Sequence, residues 1–210
     1  ADWLNPVLAS MVLSMLVSPF IILNANEWVM KWSASDWLQQ SLGMTQIAQK
    51  SMDIDKHIII CGYGRCGQNL ARLLQTQNVP YMALDLDPDR VSRAQSHGEQ
   101  VVYGDAARLQ SLMAVGLERA SAVVVTYLEN ASAMRVLALT KEHAPQVPVI
   151  VRTQDDLDLE KLQAAGAAEV VPETIEGSLM LATHALALVG VPMKRVIRMV
   201  QEQRNQRYAL

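Results

Sequence analysis

A glycine-rich turn is the part of this sequence whose residue types and spacing most directly predict chemistry. The residues Gly62-Tyr63-Gly64-Arg65-Cys66-Gly67 follow the apolar run HIIIC and precede a segment with helical periodicity. In a strand–turn–helix unit, the first glycine permits a tight turn and the second lets a pyrophosphate approach the backbone. The third glycine lets the helix pack closely on the strand. The amide groups and dipole at the helix start favour an anion, so the turn predicts a phosphate site.

An acidic residue lies at the distance that such a site requires. Asp85 ends the second apolar run, 18 residues after Gly67, where a carboxylate can accept hydrogen bonds from ribose hydroxyls. It would repel a 2′-phosphate, so NAD or an adenosine nucleotide is favoured over NADP. Asp87 is a second candidate, although Asp87-Pro88-Asp89 is more typical of a helix entry with proline at the first helical position. The alternative is a related fold that has kept its glycines for packing alone.

Three neighbouring residues each have two interpretations. Arg65, at the helix start, would contact a phosphate or would be a solvent-exposed helix residue. Cys66 is expected to be a small packing residue, and the alternative is a thiol activated by the helix start. Asp105 follows the third apolar run, where it would contact the base or cap the helix that begins near Ala107.

Short β-branched runs alternate with helical patterns from residue 57 onward. This alternation predicts an α/β fold with a Rossmann-like, doubly wound parallel sheet of six strands, and uniformly apolar runs suit strands buried on both faces. The predicted strands are His57–Cys61, Pro80–Leu84, Gln100–Tyr103, Ala122–Thr126, Val147–Arg152 and Ala168–Val171. The predicted helices between them are Arg65–Gln77, Pro88–Ser96, Ala107–Val115, Ala131–His143 and Leu157–Ala165.

The amino-terminal part has a different character. Val7–Leu23 contains 17 residues without a charge, and as a helix it would span roughly 26 Å, close to the thickness of a hydrocarbon core. Trp3 and Trp28 lie where interfacial aromatics are expected, and Lys31 indicates that the following residues are cytoplasmic. Small residues at a spacing of four favour contact with other membrane helices; they are Ser10, Ser14 and Ser18. A buried helix of a soluble protein and a signal-peptide core are the alternatives.

Residues 31–56 are interpreted as a linker from the membrane to a soluble domain. Two short helices are predicted within it, Asp36–Leu42 after an N-cap at Ser35 and Thr45–Met52. The domain organisation expected from the sequence is therefore a membrane segment (1–30), this linker (31–56), a nucleotide-binding domain (57–172) and a terminal helical segment (173–210).

The composition excludes several classes of function. The formal net charge is −3, which argues against a nucleic-acid partner because such proteins need a basic face. The two cysteines, Cys61 and Cys66, do not form a disulfide framework, and no His/Cys cluster has the spacing of a metal site. The expectation is a chain without metal or nucleic acid.

The residues that a dehydrogenase of this fold needs are not found. Tyr127 follows the fourth predicted strand, but Ala131 stands where a Tyr-x-x-x-Lys pair would have its lysine. His143 and His184 fall within helical stretches, and no second domain follows to hold a substrate. The sequence therefore predicts a protein that is not an enzyme.

Several motifs in order resemble a known family. They are CGYGRCGQNLARLL, ALDLDPDRV, VVYGDAARLQSL and VIVRTQDDLDLEKLQAAGAAEVVPETIEGSLMLA. Together they resemble the RCK domain (regulator of conductance of potassium), also called TrkA-N, of Kef-type potassium efflux antiporters in the cation:proton antiporter-2 family. The preceding LNPVLASMVLSMLVSPFIIL is similar to the last transmembrane helix of such antiporters.

The resemblance implies a ligand and a site. RCK domains bind nucleotides such as NAD(H), AMP or another adenine nucleotide between the glycine loop and the acid. Carried onto this sequence, the expected cofactor-binding residues are Gly62, Tyr63, Gly64, Arg65, Cys66, Gly67, Asp85, Leu86, Asp105, Ala106 and Thr126. The glutathione-gated members of the family further imply a glutathione-type regulatory ligand, for which Arg152 is the candidate residue.

The resemblance also implies partners. RCK domains form homodimers, and Glu176–Val189 followed by Met193–Gln206 resembles their crossover helix pair. The apolar face of the first helix would pack on a partner or within its own domain. Several arginines of the second helix would form a solvated face, or would contact an acidic partner or lipid headgroups.

The function that follows is a cytoplasmic nucleotide-sensing domain gating a potassium:proton antiporter in the inner membrane, with the rest of a multi-pass transport domain as its partner. The alternatives are a membrane-tethered NAD-dependent oxidoreductase and a gating subunit of a potassium channel or uptake system.

Overall fold

The computed structural model describes residues 11–15 and 55–208, with side chains up to residue 204. The chain divides into two units, Ala1–Gln46 and Ile47–Leu210. In the first unit, residues 11–15 are helical and exposed. The remainder of the predicted membrane segment, and the linker as far as residue 54, lie outside the described residues. None of the helices in the described ranges has both the length and the apolar character needed to cross a bilayer.

A single parallel sheet forms the centre of the second unit. Its strands are β1 (Ile58–Cys61), β2 (Tyr81–Asp85), β3 (Val101–Tyr103), β4 (Ala122–Val125), β5 (Val149–Thr153) and β6 (Glu169–Pro172). They are arranged in the order β3-β2-β1-β4-β5-β6. The order reverses between β1 and β4, which is the place where ligands bind in open sheets of this type. The predicted doubly wound parallel sheet of six strands is confirmed.

Seven helices connect and follow the strands in the part from residue 55 to 208. They are α1 (Arg65–Thr76), α2 (Pro88–Ser96), α3 (Leu109–Ala114), α4 (Asn130–His143), α5 (Leu159–Ala164), α6 (Glu173–Leu188) and α7 (Met193–Tyr208). A 3₁₀ turn, Leu117–Arg119, precedes β4. The fifth strand begins two residues later than predicted, after Pro148, because proline has no N–H to donate to a neighbouring strand.

The core lies on both faces of the sheet. The larger cluster surrounds Ile59, Val123 and Val151, and the smaller one packs Ile60, Ala83 and neighbouring side chains under α1 and α2. Since the strands alternate their side chains between faces, both faces of β1 are filled with apolar groups. The burial rigidly positions the carboxyl ends of the strands, from which the loops of the candidate site emerge.

The last two helices form a hairpin. Gly190, with φ of +83°, makes the turn after α6, and Arg204 Nε donates to Glu176 Oε1 at 3.1 Å to join the two helices. Val196 of α7 is buried. None of the residues of α6 is fully buried within the described chain. Met180, Leu181 and Leu188 are exposed, so part of the apolar surface of this helix is not covered by its own domain.

Candidate functional site

The turn after β1 is built around a glycine that no other residue could replace without strain. Gly62 has φ of +96°, and a Cβ at this position would lie 2.9 Å from Thr126 Oγ1. The hydroxyl of Thr126 donates to the Gly62 carbonyl at 2.8 Å, while the Gly62 N–H donates to the Leu84 carbonyl at 2.8 Å. The turn is therefore tied to both strands that flank β1.

The other two glycines of the loop differ in what surrounds them. A Cβ on Gly67 would lie 2.1 Å from the carbonyl oxygen of Gly62, so only glycine allows α1 to approach the turn this closely. A Cβ on Gly64 would meet no described atom within 4 Å. The third glycine thus serves packing, and the second leaves open space beside the backbone.

The start of α1 is not capped by a side chain from the described residues. Gly64 is the N-cap residue, and it has no side chain to offer a hydrogen bond. The first backbone N–H groups of a helix have no partner within the helix, and together with the helix dipole they favour an anion. Arg65 is exposed beside them, which adds a positive charge at the same end.

The carboxylate of Asp85, at the end of β2, accepts hydrogen bonds from three residues. Its Oδ2 accepts from the Tyr63 N–H at 2.5 Å and its Oδ1 from the Asp87 N–H at 2.8 Å. Arg90 Nη1 donates to Oδ1 at 2.7 Å and to Oδ2 at 2.8 Å. The side chain is 6% exposed. A carboxylate has about four acceptor positions, so those of Asp85 are filled by the protein itself.

Arg90 belongs to α2, whose start is organised by Asp87. The Asp87 side chain accepts from the Arg90 N–H at 3.0 Å as the N-cap, with proline at the first helical position. This backbone hydrogen bond is the main reason that the pKa of Asp87 is lowered. The hydrogen bond to Asp85 raises the pKa of Arg90. Of the two interpretations of Asp87, the structure shows the helix entry.

Asp105 follows β3, and its position is compatible with both of the roles predicted from the sequence. Its Oδ1 accepts from the Ala107 N–H at 2.9 Å, and its Oδ2 lies 3.4 Å from Arg108 Nε. It therefore caps the turn that leads into α3. It also faces the cavity described next, beside Ala106.

A cavity of about 560 Å³ lies at the carboxyl ends of the strands. Of the residues predicted from the sequence, it is lined by Gly62, Gly64, Arg65, Cys66, Asp85, Leu86, Asp105, Ala106, Thr126 and Arg152. Two predicted residues do not line it, Tyr63 and Gly67. The Tyr63 side chain is buried with the cluster under α1 and α2, and its N–H donates to Asp85.

Sequence reasoning did not place several other residues in this cavity. They are Leu84, Arg90, Gly104, Tyr127, Leu128, Glu129, Ser132. Four of these seven follow β4, the strand next to β1 across the switch point. The sequence signal that could have identified these four residues is their position after the apolar run that forms β4. The hydroxyl of Tyr127 is buried without a hydrogen-bond partner among the described residues, and burial raises the pKa of its phenol.

Arg152 connects the cavity to the helical hairpin. Its Nη1 donates to the Thr126 carbonyl at 2.6 Å, and its Nη2 forms an ion pair with Glu173, the first residue of α6. The candidate regulatory residue therefore lines the same cavity as the glycine loop, at its β4–β5 end. It also contacts the beginning of the exposed helix directly.

Fold and site together define a Rossmann-like α/β domain with a phosphate-type glycine loop. The TrkA-N domain family matches residues 58–173 of this chain. Because the match covers more than half of the chain, the chain belongs to the TrkA-N family.

Comparison with individual proteins points to antiporters. The chain is 37% identical over 210 residues to a putative K⁺ efflux antiporter KefB of Alkalimonas amylolytica, covering 97% of this chain and 31% of that protein. It is 30% identical over 193 residues to the glutathione-regulated potassium-efflux system protein KefC of Escherichia coli, covering 90% of this chain and 29% of that protein. The chain thus spans less than a third of the length of these relatives.

One solved structure extends the comparison. The Kef CTD of Shewanella denitrificans in an AMP-bound form is 28% identical, with a TM-score of 0.63. The similarity covers 73% of this chain and 94% of that one.

Proposed function

We propose that this chain is the nucleotide-sensing regulatory part of a potassium efflux antiporter that exchanges potassium for protons. The observation that carries the proposal is the open space beside Gly64, at the uncapped start of α1 and at the switch point of the sheet. This is the place where a phosphate binds in folds of this type. Similarity to KefB and KefC over most of the chain supports the transport role.

The proposed ligand is an adenine nucleotide, either AMP or NAD(H). Its phosphate would lie at the start of α1 beside Gly64 and Arg65, and its ribose near Asp85. The base would then lie between Asp105 and Leu86, which is 59% exposed. The AMP-bound form of the Shewanella relative supports this choice, and a cavity of about 560 Å³ is large enough for such a ligand.

We infer a regulatory role and not a catalytic one. Among the described residues that line the cavity there is neither a histidine nor a lysine. The Tyr127 hydroxyl is buried, and burial raises the pKa of its phenol, which does not favour proton transfer near neutral pH. Binding can nonetheless shift a two-state equilibrium if the two states differ in affinity for the nucleotide.

The proposal includes a homodimer formed through the terminal hairpin. Met180 and Leu181 of α6 are 59% and 73% exposed, and Leu188 at its end is 88% exposed. An apolar helix face of this kind is stabilised by a partner. A second copy of this chain would cover it, so Leu181→Glu is expected to shift the chain from dimer to monomer in sedimentation velocity.

The remaining partner is a multi-pass membrane transport domain. In the proposed arrangement, residues 1–30 form the last part of that domain in the inner membrane. Residues 31–56 form a cytoplasmic linker, residues 57–172 the nucleotide-binding domain and residues 173–210 the dimerisation helices. A nucleotide-dependent change in the dimer would then reach the ion pathway through the linker.

A glutathione-type ligand would require Arg152 to change partners. Its guanidinium now binds the Thr126 carbonyl and Glu173. A ligand carboxylate can displace Glu173 because the two carry the same charge and geometry. We propose that any such ligand acts by releasing the first turn of α6.

The test uses the complete antiporter that carries this chain. Gly64→Val would fill the open space with a side chain, and Asp85→Ala would remove the acid. Both variants are expected to weaken nucleotide binding in calorimetry and to alter potassium efflux from cells at equal protein levels. Parent-like binding and efflux in both variants would contradict the proposal.

A further inference from the structure

A second, basic cleft lies on the face of the sheet covered by α1 and α2. It has a volume of about 450 Å³. Arg72 of α1 lies on one side, and Arg90 and Arg93 of α2 lie on the other with His97, the C-cap residue of α2. These last three residues are spaced by three and four, so they lie on one side of the helix. Tyr63, which does not line the nucleotide cavity, is part of this cleft.

Two of the positive charges in the cleft, those of Arg72 and Arg93, have no ion-pair partner among the described residues. Arg93 Nε donates to the Asp89 carbonyl at 3.2 Å. Arg90 alone is paired, with Asp85 and Asp87.

The single carboxylate in the cleft is already engaged. Glu99 accepts from the Tyr81 hydroxyl and from Gln75 Nε2, the latter at 2.7 Å. These two bonds come from neutral donors and occupy one of its oxygens, so the negative charge of Glu99 remains in the cleft. With Arg90 already paired, the charges of Arg72 and Arg93 outweigh the single negative charge of Glu99, so the cleft has a net positive charge that attracts an anion.

We propose that this cleft, which shares only Arg90 with the nucleotide cavity, is a second anion site for a small molecule that carries a phosphate or a pair of carboxylates. Guanidinium groups bind both of these in a bidentate manner. The lining is mainly polar and charged, which does not suit an acyl chain or an apolar peptide.

The experiment measures the midpoint of thermal unfolding of the full chain, kept in mild detergent and followed by circular dichroism. Inorganic phosphate and succinate are compared with chloride at equal ionic strength. An anion present at several times its dissociation constant should raise the midpoint by about 2–4 °C. The variants are Arg72→Gln and Arg93→Gln, with Arg135→Gln on the exposed side of α4 as the matched control.

Phosphate also stabilises proteins in general by exclusion from their surface, but that effect acts equally on every variant. The proposal predicts that the parent and Arg135→Gln share the shift, while Arg72→Gln and Arg93→Gln each lose most of it. A shift with phosphate, with succinate or with both shows which of the two anionic groups the cleft binds. No shift in the parent, or an equal shift in all four proteins, overturns the proposal.

A further variant separates the two anion sites. If phosphate binds at the glycine loop, the rise in the unfolding midpoint will be lost in Gly64→Val and retained in Arg72→Gln. This pattern would also overturn the proposal. Phosphate bound in the cleft gives the opposite pattern. Because none of these measurements contains a nucleotide, their result does not depend on whether the nucleotide proposal is correct.

Discussion

Arg90 binds both carboxylate oxygens of Asp85 through one nitrogen, Nη1, at 2.7 and 2.8 Å. Backbone N–H groups of Tyr63 and Asp87 donate to the same two oxygens. A ribose hydroxyl can therefore reach Asp85 only if one donor leaves. Arg90 is the donor that can do so, because the other two belong to the backbone of the glycine loop and of the turn before α2.

The first prediction concerns this pair. Arg90→Met removes the competing donor and keeps the apolar stem, so the preference for AMP over 2′,3′-dideoxy-AMP should increase. A hydrogen bond to a charged group contributes about 1.5–3 kcal/mol, which corresponds to a change of about tenfold or more in the ratio of dissociation constants. Calorimetric titration measures the ratio, with Arg135→Met as the control. An unchanged ratio would show that Asp85 does not bind the ribose.

The second prediction concerns the packing glycine. Gly67→Ala places a Cβ 2.1 Å from the Gly62 carbonyl oxygen, so the turn and α1 must move apart. Overpacking of this kind destabilises a fold by about 1–3 kcal/mol. Gly64→Ala, where the space is open, should cost clearly less. Urea unfolding of the two variants measures the difference, and equal destabilisation would contradict this assignment of roles.

The sequence was sufficient to predict the sheet. Each strand is a short β-branched run between helical patterns, and such runs can be buried on both faces only in a parallel sheet covered by helices. The glycine loop was equally predictable, since its spacing has a steric meaning that depends only on a strand before it and a helix after it.

The contacts of Asp85 could not be predicted in the same way. Arg90 reaches Asp85 because Asp87 fixes the first turn of α2 and thereby the direction of the next side chains. The Tyr63 side chain packs in the cluster under α1 and α2 and not in the cavity, while its N–H is bound to the same carboxylate. These arrangements depend on the relative position of two loops, and no spacing within either loop encodes it.

The third prediction concerns the link between the cavity and the hairpin. Arg152→Gln and Glu173→Gln both break the ion pair at the start of α6. Backbone amides of the first turn of α6 should exchange faster in both variants, as measured by hydrogen exchange with mass spectrometry. Nucleotide affinity should decrease only in Arg152→Gln, because Glu173 does not line the cavity. An equal decrease in both would show that the effect on binding is indirect.

The fourth prediction distinguishes the two cysteines. Burial raises the pKa of the Cys61 thiol to about 12, whereas Cys66 lies in the wall of the cavity. At pH 8, iodoacetamide should modify Cys66 and leave Cys61 intact, and AMP should protect Cys66. Peptide mapping by mass spectrometry gives both results. Modification of Cys61 in the folded chain would contradict its burial.

The raised pKa of Cys61 also predicts how folding stability changes with pH. Above about 8.5, the ordinary pKa of a thiol, the unfolded chain loses a proton that the folded chain keeps. This group therefore lowers folding stability as the pH rises from about 8.5 toward 12. Cys61→Ala removes this contribution, so its urea midpoint should fall less between pH 7.5 and 10 than that of the parent.

The central claim is that an adenine nucleotide binds at the open glycine of the loop, in a chain that forms a dimer. A native mass spectrum of the full chain with AMP or NADH reports both properties in one measurement. The account predicts a species of two chains carrying two nucleotides, and a dimer without nucleotide for Gly64→Val. A parent chain that carries no nucleotide at millimolar concentrations of either compound would contradict it.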